Sequence, residues 1–127
     1  MLQLNSKILC EENSGIKAIK IFHLGQKKRR HGVYASINNI IKGSVINCIP
    51  NKKYSTGDKL PLLIVHVKKK ISRNNGCYIN FTANKGIVLS DVKKRKPVAT
   101  ISGLTVPKEV KRDKRNKLIY RIVTQAI

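Results

Sequence analysis

The sequence predicts a mainly β fold: a small antiparallel β-barrel followed by a short C-terminal helical element. Short apolar runs rich in β-branched residues recur along the chain, as "KILC", "IKAIKIFHL", "GVYASINNIIKGSVINCIP", "KLPLLIVHV", "CYINF" and "GIVLS". Several alternate, as Ile19-Lys20-Ile21 and Tyr78-Ile79-Asn80-Phe81 do, which suits strands with one wet face. The connectors "ENSG", "PNKKYSTGD", "SRNNG" and "TANKG" are built from turn-forming residues.

Taken in order, "ENSG" separates the first two runs, and "GQKKRRHGV" (residues 25–33) sets four cations and a histidine between the second and third. Pro61, inside "KLPLLIVHV", cannot donate to a sheet ladder, which places it at that strand's start or on an edge. The tail differs. In "VPKEVKRDKRNK", Pro107 suits the first turn of a helix. Glu109 near the helix start and cations later in the segment both favour the helix dipole. A helix of one to three turns is expected there, then a last apolar run, "LIYRIV". With no internal repeat or low-complexity linker, one domain is expected.

The chain has 127 residues, enough for a real core. Leu, Ile, Val and Phe supply 39 of them, about 31%, above the ~20% below which a highly charged chain stays disordered. Charge dominates the composition: 27 Lys and Arg face six acids, a formal +21 with a pI near 10.4. Self-repulsion on this scale is relieved by a polyanion. Nucleic acid is the leading partner, because neutralising phosphates releases condensed counterions. An acidic membrane would call for a long amphipathic helix or a lipid signal, and the sequence has neither. Its longest apolar run, "LPLLIVHV", is too short to span a bilayer, and no cleaved N-terminal signal is expected from "MLQLNSKILCEENSG". Cys10, Cys48 and Cys77 lack paired zinc spacing and read as buried free thiols. The abundance of Lys, Asn and Ile fits an A/T-rich genome such as an organelle's.

Cations gather at the connectors: Lys27-Lys28-Arg29-Arg30, Lys52-Lys53, Lys68-Lys69-Lys70 with Arg73, Lys93-Lys94-Arg95-Lys96, and the tail from Lys108 to Lys117. A solvated loop explains any one cluster; five clusters with so few acids point to phosphate-binding arms on a rigid barrel. Base stacking looks minor, with four Tyr, two Phe and no Trp, so the readout is of backbone and shape in folded RNA. Tyr78 and Phe81 read as core and edge residues. Catalysis is disfavoured. Of Glu11, Glu12, Asp58, Asp91, Glu109 and Asp113 only the first two are adjacent, and neighbours on a strand point to opposite faces. There is no "HExxH", phosphate-cradling glycine loop or nucleophile elbow. His31 reads as a phosphate or turn residue and His66 as a satisfied structural histidine.

Several segments occur in one order at one spacing: "ENSG", "KKRRHGV", "NIIKGSVINCIP", "TGDKL", "IVHVKKKISRNNGCYINF", "NKGIVL" and "PKEV". Together they resemble the universal large-subunit ribosomal protein number fourteen family, over nearly the whole chain. The sequence looks most like a divergent organellar member, expected in the mitochondrial matrix, with another organelle or a bacterial cytoplasm as the alternative. The resemblance implies a five-stranded β-barrel with a projecting basic hairpin and a short C-terminal helical element. Barrel and hairpin would occupy residues 1–106 and the tail 107–127. It also implies a structural, cofactor-free constituent of the large ribosomal subunit. Such a protein sits on ribosomal RNA at the intersubunit face and contributes to a bridge with the small subunit. Neighbouring large-subunit proteins, small-subunit RNA and a silencing or anti-association factor are the other implied partners.

Carried over by motif, Asn13, Ser14 and Gly15 form the tight turn between the first strands, and residues 27–32 form a basic loop against RNA. Asp58, after Gly57, caps backbone amides before a barrel strand. Residues 67–76 match the basic hairpin, and residues 97–100 the loop before the tail used at the subunit interface. The expected rRNA-binding set is Lys27, Lys28, Arg29, Arg30, His31, Lys42, Lys52, Lys53, Lys68, Lys69, Lys70, Arg73, Lys93, Lys94, Arg95 and Lys96. The expected partner-facing set is Pro97, Thr100, Ile101, Lys108, Lys111, Arg112, Lys114 and Arg115. No residue is assigned to catalysis or metal binding.

The chain departs from the family pattern at four places. Asn38-Asn39 stands for Gly-Asp, Ile101 for an arginine, Leu104-Thr105-Val106 for Gly-Pro-Val, and Arg115 for an apolar residue. These changes bear mostly on partner docking, so RNA binding carries over better. Between two strands of such a barrel, "KKRRHG" reads as a phosphate-gripping turn, ahead of a transport signal. Two rival readings stay open: a free-standing barrel for single-stranded nucleic acid, cold-shock-like, and a nucleic-acid-modifying enzyme.

Overall fold

A computed structural model of the chain describes residues 2–25, 34–50 and 53–127. Strand β1 (Lys7–Leu9) turns through Asn13, Ser14 and Gly15 into β2 (Ile16–His23), as expected. Gly15 takes φ 91°, a left-handed conformation that glycine adopts without steric cost. β3 (Ile40–Cys48) and β4 (Lys59–His66) extend the antiparallel meander. The chain then runs out into a short hairpin, β5 (Ile71–Ser72) and β6 (Tyr78–Ile79). It returns as β7 (Lys85–Asp91), antiparallel to β4.

Pairing of β7 with β1, Leu9 opposite Lys85, closes a five-stranded barrel in the order β1-β2-β3-β4-β7. This seam is parallel, a correction to the all-antiparallel reading. Parity is the cause: five strands that alternate in direction around a closed ring must leave one pair running the same way.

Beyond the barrel, β8 (Lys96–Pro97) pairs with the end of β7. β9 (Ser102–Val106) pairs in parallel with the final strand, β10 (Val123–Ala126). Parallel neighbours need a long crossover. Here it holds the single-turn helix α1 (Lys108–Arg112) and two 3₁₀ turns, Lys114–Asn116 and Ile119–Arg121. Pro107 precedes α1, Glu109 lies in its first turn and Lys111 and Arg112 in its last, as the dipole argument required. The run "LIYRIV" is mostly 3₁₀ turn rather than strand.

Two cores follow from the side-chain alternation of β4 and β7. Leu62, Ile64 and Val88 point into the barrel with Ile8, Ile19, Ile21, Ile41 and Val45. Leu63, Val65, Ile87 and Leu89 point outward and are covered by Leu104 and Val106 of β9 and Val110 and Ile119 of the tail. Burial on both faces explains why "PLLIVHV" is continuously apolar rather than alternating. Each fully buried side chain of this kind gains roughly 1.5–3 kcal/mol, so the two from β9 and the two from the tail hold both segments firmly on the barrel wall. Pro61 is the third residue of β4, and the ladder to β7 begins at Leu62, so its missing N–H costs nothing on that side.

The cysteines are free, but only Cys10 is buried; Cys48 is half-buried and Cys77 exposed. Tyr78 is also exposed, at 70%. Cys77 and Tyr78 are exposed for one reason: both lie on the β5–β6 hairpin, over which no second layer lies among the described residues. Phe81 stacks on His66, ring centroids 3.9 Å apart.

Candidate nucleic-acid interface

The expected RNA-facing residues fall into three situations. Lys27, Lys28, Arg29, Arg30, His31 and Lys52 lie outside the described residues. Lys42, Lys53, Lys68, Lys69, Lys70, Lys93, Lys94 and Lys96 are exposed, and none of them has an ion pair among the described residues. Arg73 and Arg95 are engaged within the protein.

The hairpin raises Lys68, Lys69 and Lys70 from a fixed base. Lys68 N donates to Asn84 Oδ1 at 3.0 Å, and at the tip Arg73 N donates to Cys77 O at 2.8 Å. The Arg73 side chain then folds back on the tail. Its Nε donates to Glu109 Oε1 at 2.7 Å, and its Nη2 to Glu109 Oε2 at 3.1 Å and Ile127 O at 3.0 Å. Arg73 therefore acts as a strut between hairpin and tail, its charge already matched by Glu109.

In the turn after β7, Asp91 Oδ1 accepts from Lys93 N at 2.8 Å and Lys94 N at 3.4 Å, presenting both lysines to solvent. Arg95 has φ 48° and turns inward to 7% exposure. Its Nη1 donates to Asn38 Oδ1 at 3.0 Å, Asp113 Oδ2 at 3.1 Å and Asn116 Oδ1 at 2.6 Å. Burial, and then the neighbouring Arg115 charge, lower its pKa, with Asp113 opposing them. Arg95 is thus a buried structural cation. Four cations in a row carry no sign of which one the turn directs inward.

Asn38 sits at φ 68°, a left-handed position that asparagine tolerates as the family's glycine would. Its Nδ2 donates to Asp113 Oδ2 at 3.1 Å, and its Oδ1 accepts from Asn116 Nδ2 at 2.9 Å. The departure at Asn38 keeps the turn and ties it to the tail.

Of the partner-facing residues, Pro97 lies opposite Leu89 in β8. Asn13 clamps the following loop: its Nδ2 donates to Thr100 Oγ1 at 2.7 Å, and its Oδ1 accepts from Thr100 N at 3.0 Å and Ile101 N at 3.3 Å. That leaves Ile101 67% exposed. Sequence reading gave Asn13 only a turn role, since its partners lie almost ninety residues away. Lys108, Lys111, Arg112, Lys114 and Arg115 are exposed. Arg115 grips Asp113 through Nε at 3.0 Å and Nη2 at 2.8 Å. Those bonds, then the one from Asn38, hold the Asp113 carboxyl well below its usual range.

Two smaller expectations hold. Asp58 Oδ2 accepts from Ser55 N at 2.9 Å. His66 is buried, its Nε2 donates to Thr105 O, and burial lowers its pKa. Among the described residues no group of His, Cys, Asp and Glu could hold a metal ion, and no helix is long and apolar enough to cross a membrane. Sequence clustering missed Lys7, Lys20 and Lys59, which lie apart in the chain and fall on one cross-strand row, with Ser44 between Lys20 and Lys59.

The barrel, hairpin and tail all fall within one comparison: the family model for ribosomal protein L14p/L23e matches residues 1–126. The chain belongs to the ribosomal protein L14p/L23e family.

Proposed function

We propose that this protein, by its family a structural constituent of the large ribosomal subunit, grips that subunit's ribosomal RNA through cations on its connectors and hairpin. One observation carries the reading: Lys68, Lys69, Lys70, Lys93, Lys94 and Lys96 are exposed without a counter-ion among the described residues, on a barrel belonging to a ribosomal family. A formal +21 needs a polyanion, and RNA phosphates supply it. The basic character of Lys27, Lys28, Arg29, Arg30, His31 and Lys52 in the sequence supports assigning them to the same RNA. Arg73 and Arg95 leave it, since their guanidinium groups serve internal bonds.

The second face of the proposal is the surface around Thr100, Ile101 and the α1 cations, held by Asn13, which would meet the small subunit or a docking factor. The Lys-, Asn- and Ile-rich composition supports an organellar, mitochondrial ribosome. The test is a salt-titrated sucrose gradient of organelle lysate, following the protein against large-subunit RNA. Co-migration that is lost only at high salt is the expected result. Migration at the top of the gradient at every salt would refute the reading and favour a free nucleic-acid binder.

A further inference from the structure

Sheet register assembles a cationic row that the linear sequence hides. Lys7 lies directly opposite Lys20, Lys20 opposite Ser44, and Ser44 opposite Lys59. Residues directly opposite in antiparallel strands share a face, and here it is the outer one, since Ile19, Ile21, Val45 and Leu62 beside them fill the core. Four strands at about 4.8 Å spacing make the row about 14 Å long. Lys42 stands beside it on β3, and Lys59 Nζ lies 5.9 Å from the exposed Phe22 ring.

Two lysines facing each other across a strand pair destabilise a sheet unless a counter-charge sits between them. None does: Glu11 pairs with Lys85, and the other ion pairs among the described residues lie at the hairpin and the tail. β9 and the tail pack on Leu63, Val65, Ile87 and Leu89 of β4 and β7, and among the described residues Lys7, Lys20 and Lys59 stay exposed.

We propose that Lys7, Lys20 and Lys59 form a seat for an RNA sugar-phosphate backbone laid across strands β1 to β4, with Lys42 at its edge. The inference rests on the proposed attachment to ribosomal RNA and adds a contact wall to the connector arms. The seat reads charge alone, because the row has no base-reading fork and a single aromatic beside it. Phosphate along the row removes the Lys7–Lys20 repulsion, so the sheet relaxes where it binds.

The test is lysine acetylation read by mass spectrometry, on the free full-length protein and on intact large subunits before and after nuclease digestion. Lys7, Lys20 and Lys59 are expected to be reactive in the free protein, protected in the subunit, and reactive again once the RNA is digested. Labelling at the free-protein rate in the subunit would overturn the seat, and protection that survives nuclease would assign the wall to a protein neighbour instead. Absence of the chain from the subunit would refute the ribosomal reading itself. As a second arm, Lys20→Gln is expected to raise the free protein's Tm while reducing the salt slope for ribosomal RNA by ~0.7–0.9. An unchanged slope alongside normal wild-type binding would remove the row from the interface.

Discussion

Glu12 takes over where strand β1 ends: its Oε1 accepts a hydrogen bond from Val88 N at 3.1 Å. Leu9 faces Lys85 across the parallel seam, and Glu12 and Val88 each lie three residues further along. A side-chain oxygen thus stands in for the backbone acceptor that a longer β1 would have provided. Ser14 Oγ donates to the same oxygen at 3.1 Å, while Oε2 is buried with no partner among the described residues. Burial pushes the carboxyl up to about 7, against the pull of the Val88 and Ser14 bonds.

That position makes the barrel seam sensitive to pH. The folded protein holds the Glu12 proton to about pH 7, whereas an ordinary carboxyl releases it near 4.5. The folded state therefore binds more protons between those values. The associated stability is complete below about pH 4.5 and is lost as pH rises through about 7. Glu12→Gln keeps an acceptor for Val88 and removes the charge. It is expected to unfold at nearly the wild-type urea midpoint near pH 5 and to be more stable by on the order of 1–3 kcal/mol near pH 8. A Gln variant less stable than wild type at pH 8 would show that the ionised form is what the seam requires.

Gly43 faces β2 with no room for a side chain. A methyl group there would run into Ile19 Cγ2 and lie 2.9 Å from Lys20 O. Backbone cannot yield as a side-chain end can, so Gly43→Ala is expected to destabilise the barrel by about 1–3 kcal/mol. Thermal unfolding followed by far-UV circular dichroism checks this. A variant that melts at the wild-type temperature would mean the two strands separate easily at this point.

The barrel was legible in the sequence because its signals are local. Alternation in Ile19-Lys20-Ile21 and the turn residues of "ENSG" each act within a few residues, and the family order then fixed the strand count. The parallel seam was not legible, since it follows from closing the ring and not from any one segment. Site residues divide the same way. Lys68 and Lys69 could be read from their cluster, but the inward turn of Arg95 depends on Asn38, Asp113 and Asn116, which reach it from other elements. The Lys7–Lys20–Lys59 row is invisible until the register is known, because each lysine is separated from the next by a dozen residues or more.

Asn116 is the fully buried centre of the junction between tail and barrel. It accepts from Arg95, and its Nδ2 donates to Asn38 Oδ1 at 2.9 Å and Val110 O at 2.8 Å. Asn116→Ala removes every one of these bonds and leaves polar groups of Arg95 and Val110 short of a partner. A buried polar group without its bond costs about 1–3 kcal/mol, so a total loss of about 2–4 kcal/mol in a urea titration is expected. A loss below about 0.5 kcal/mol, the range of ordinary surface substitutions, would mean that the junction is held by Val110 and Ile119 packing alone.

The two kinds of cation on the hairpin should separate in opposite assays. Arg73 spends its charge on Glu109 and fastens the end of the chain, where Lys108 N donates to Ile127 O at 2.9 Å and Ile127 N to Val106 O at 2.8 Å. Arg73→Gln is expected to speed amide exchange at Lys108 and Ile127 and to leave the salt slope of RNA binding nearly unchanged, since no free charge is lost. Lys68→Gln and Lys69→Gln should do the reverse, lowering the slope by ~0.7–0.9 for each phosphate contact removed, with exchange in the tail unaffected. The comparison is internal to one hairpin, so differences in overall stability cannot produce it. A slope that falls with Arg73→Gln and holds with the lysine variants would exchange the roles assigned to them. Phosphate would then compete with Glu109 for the guanidinium, and RNA binding would release the tail.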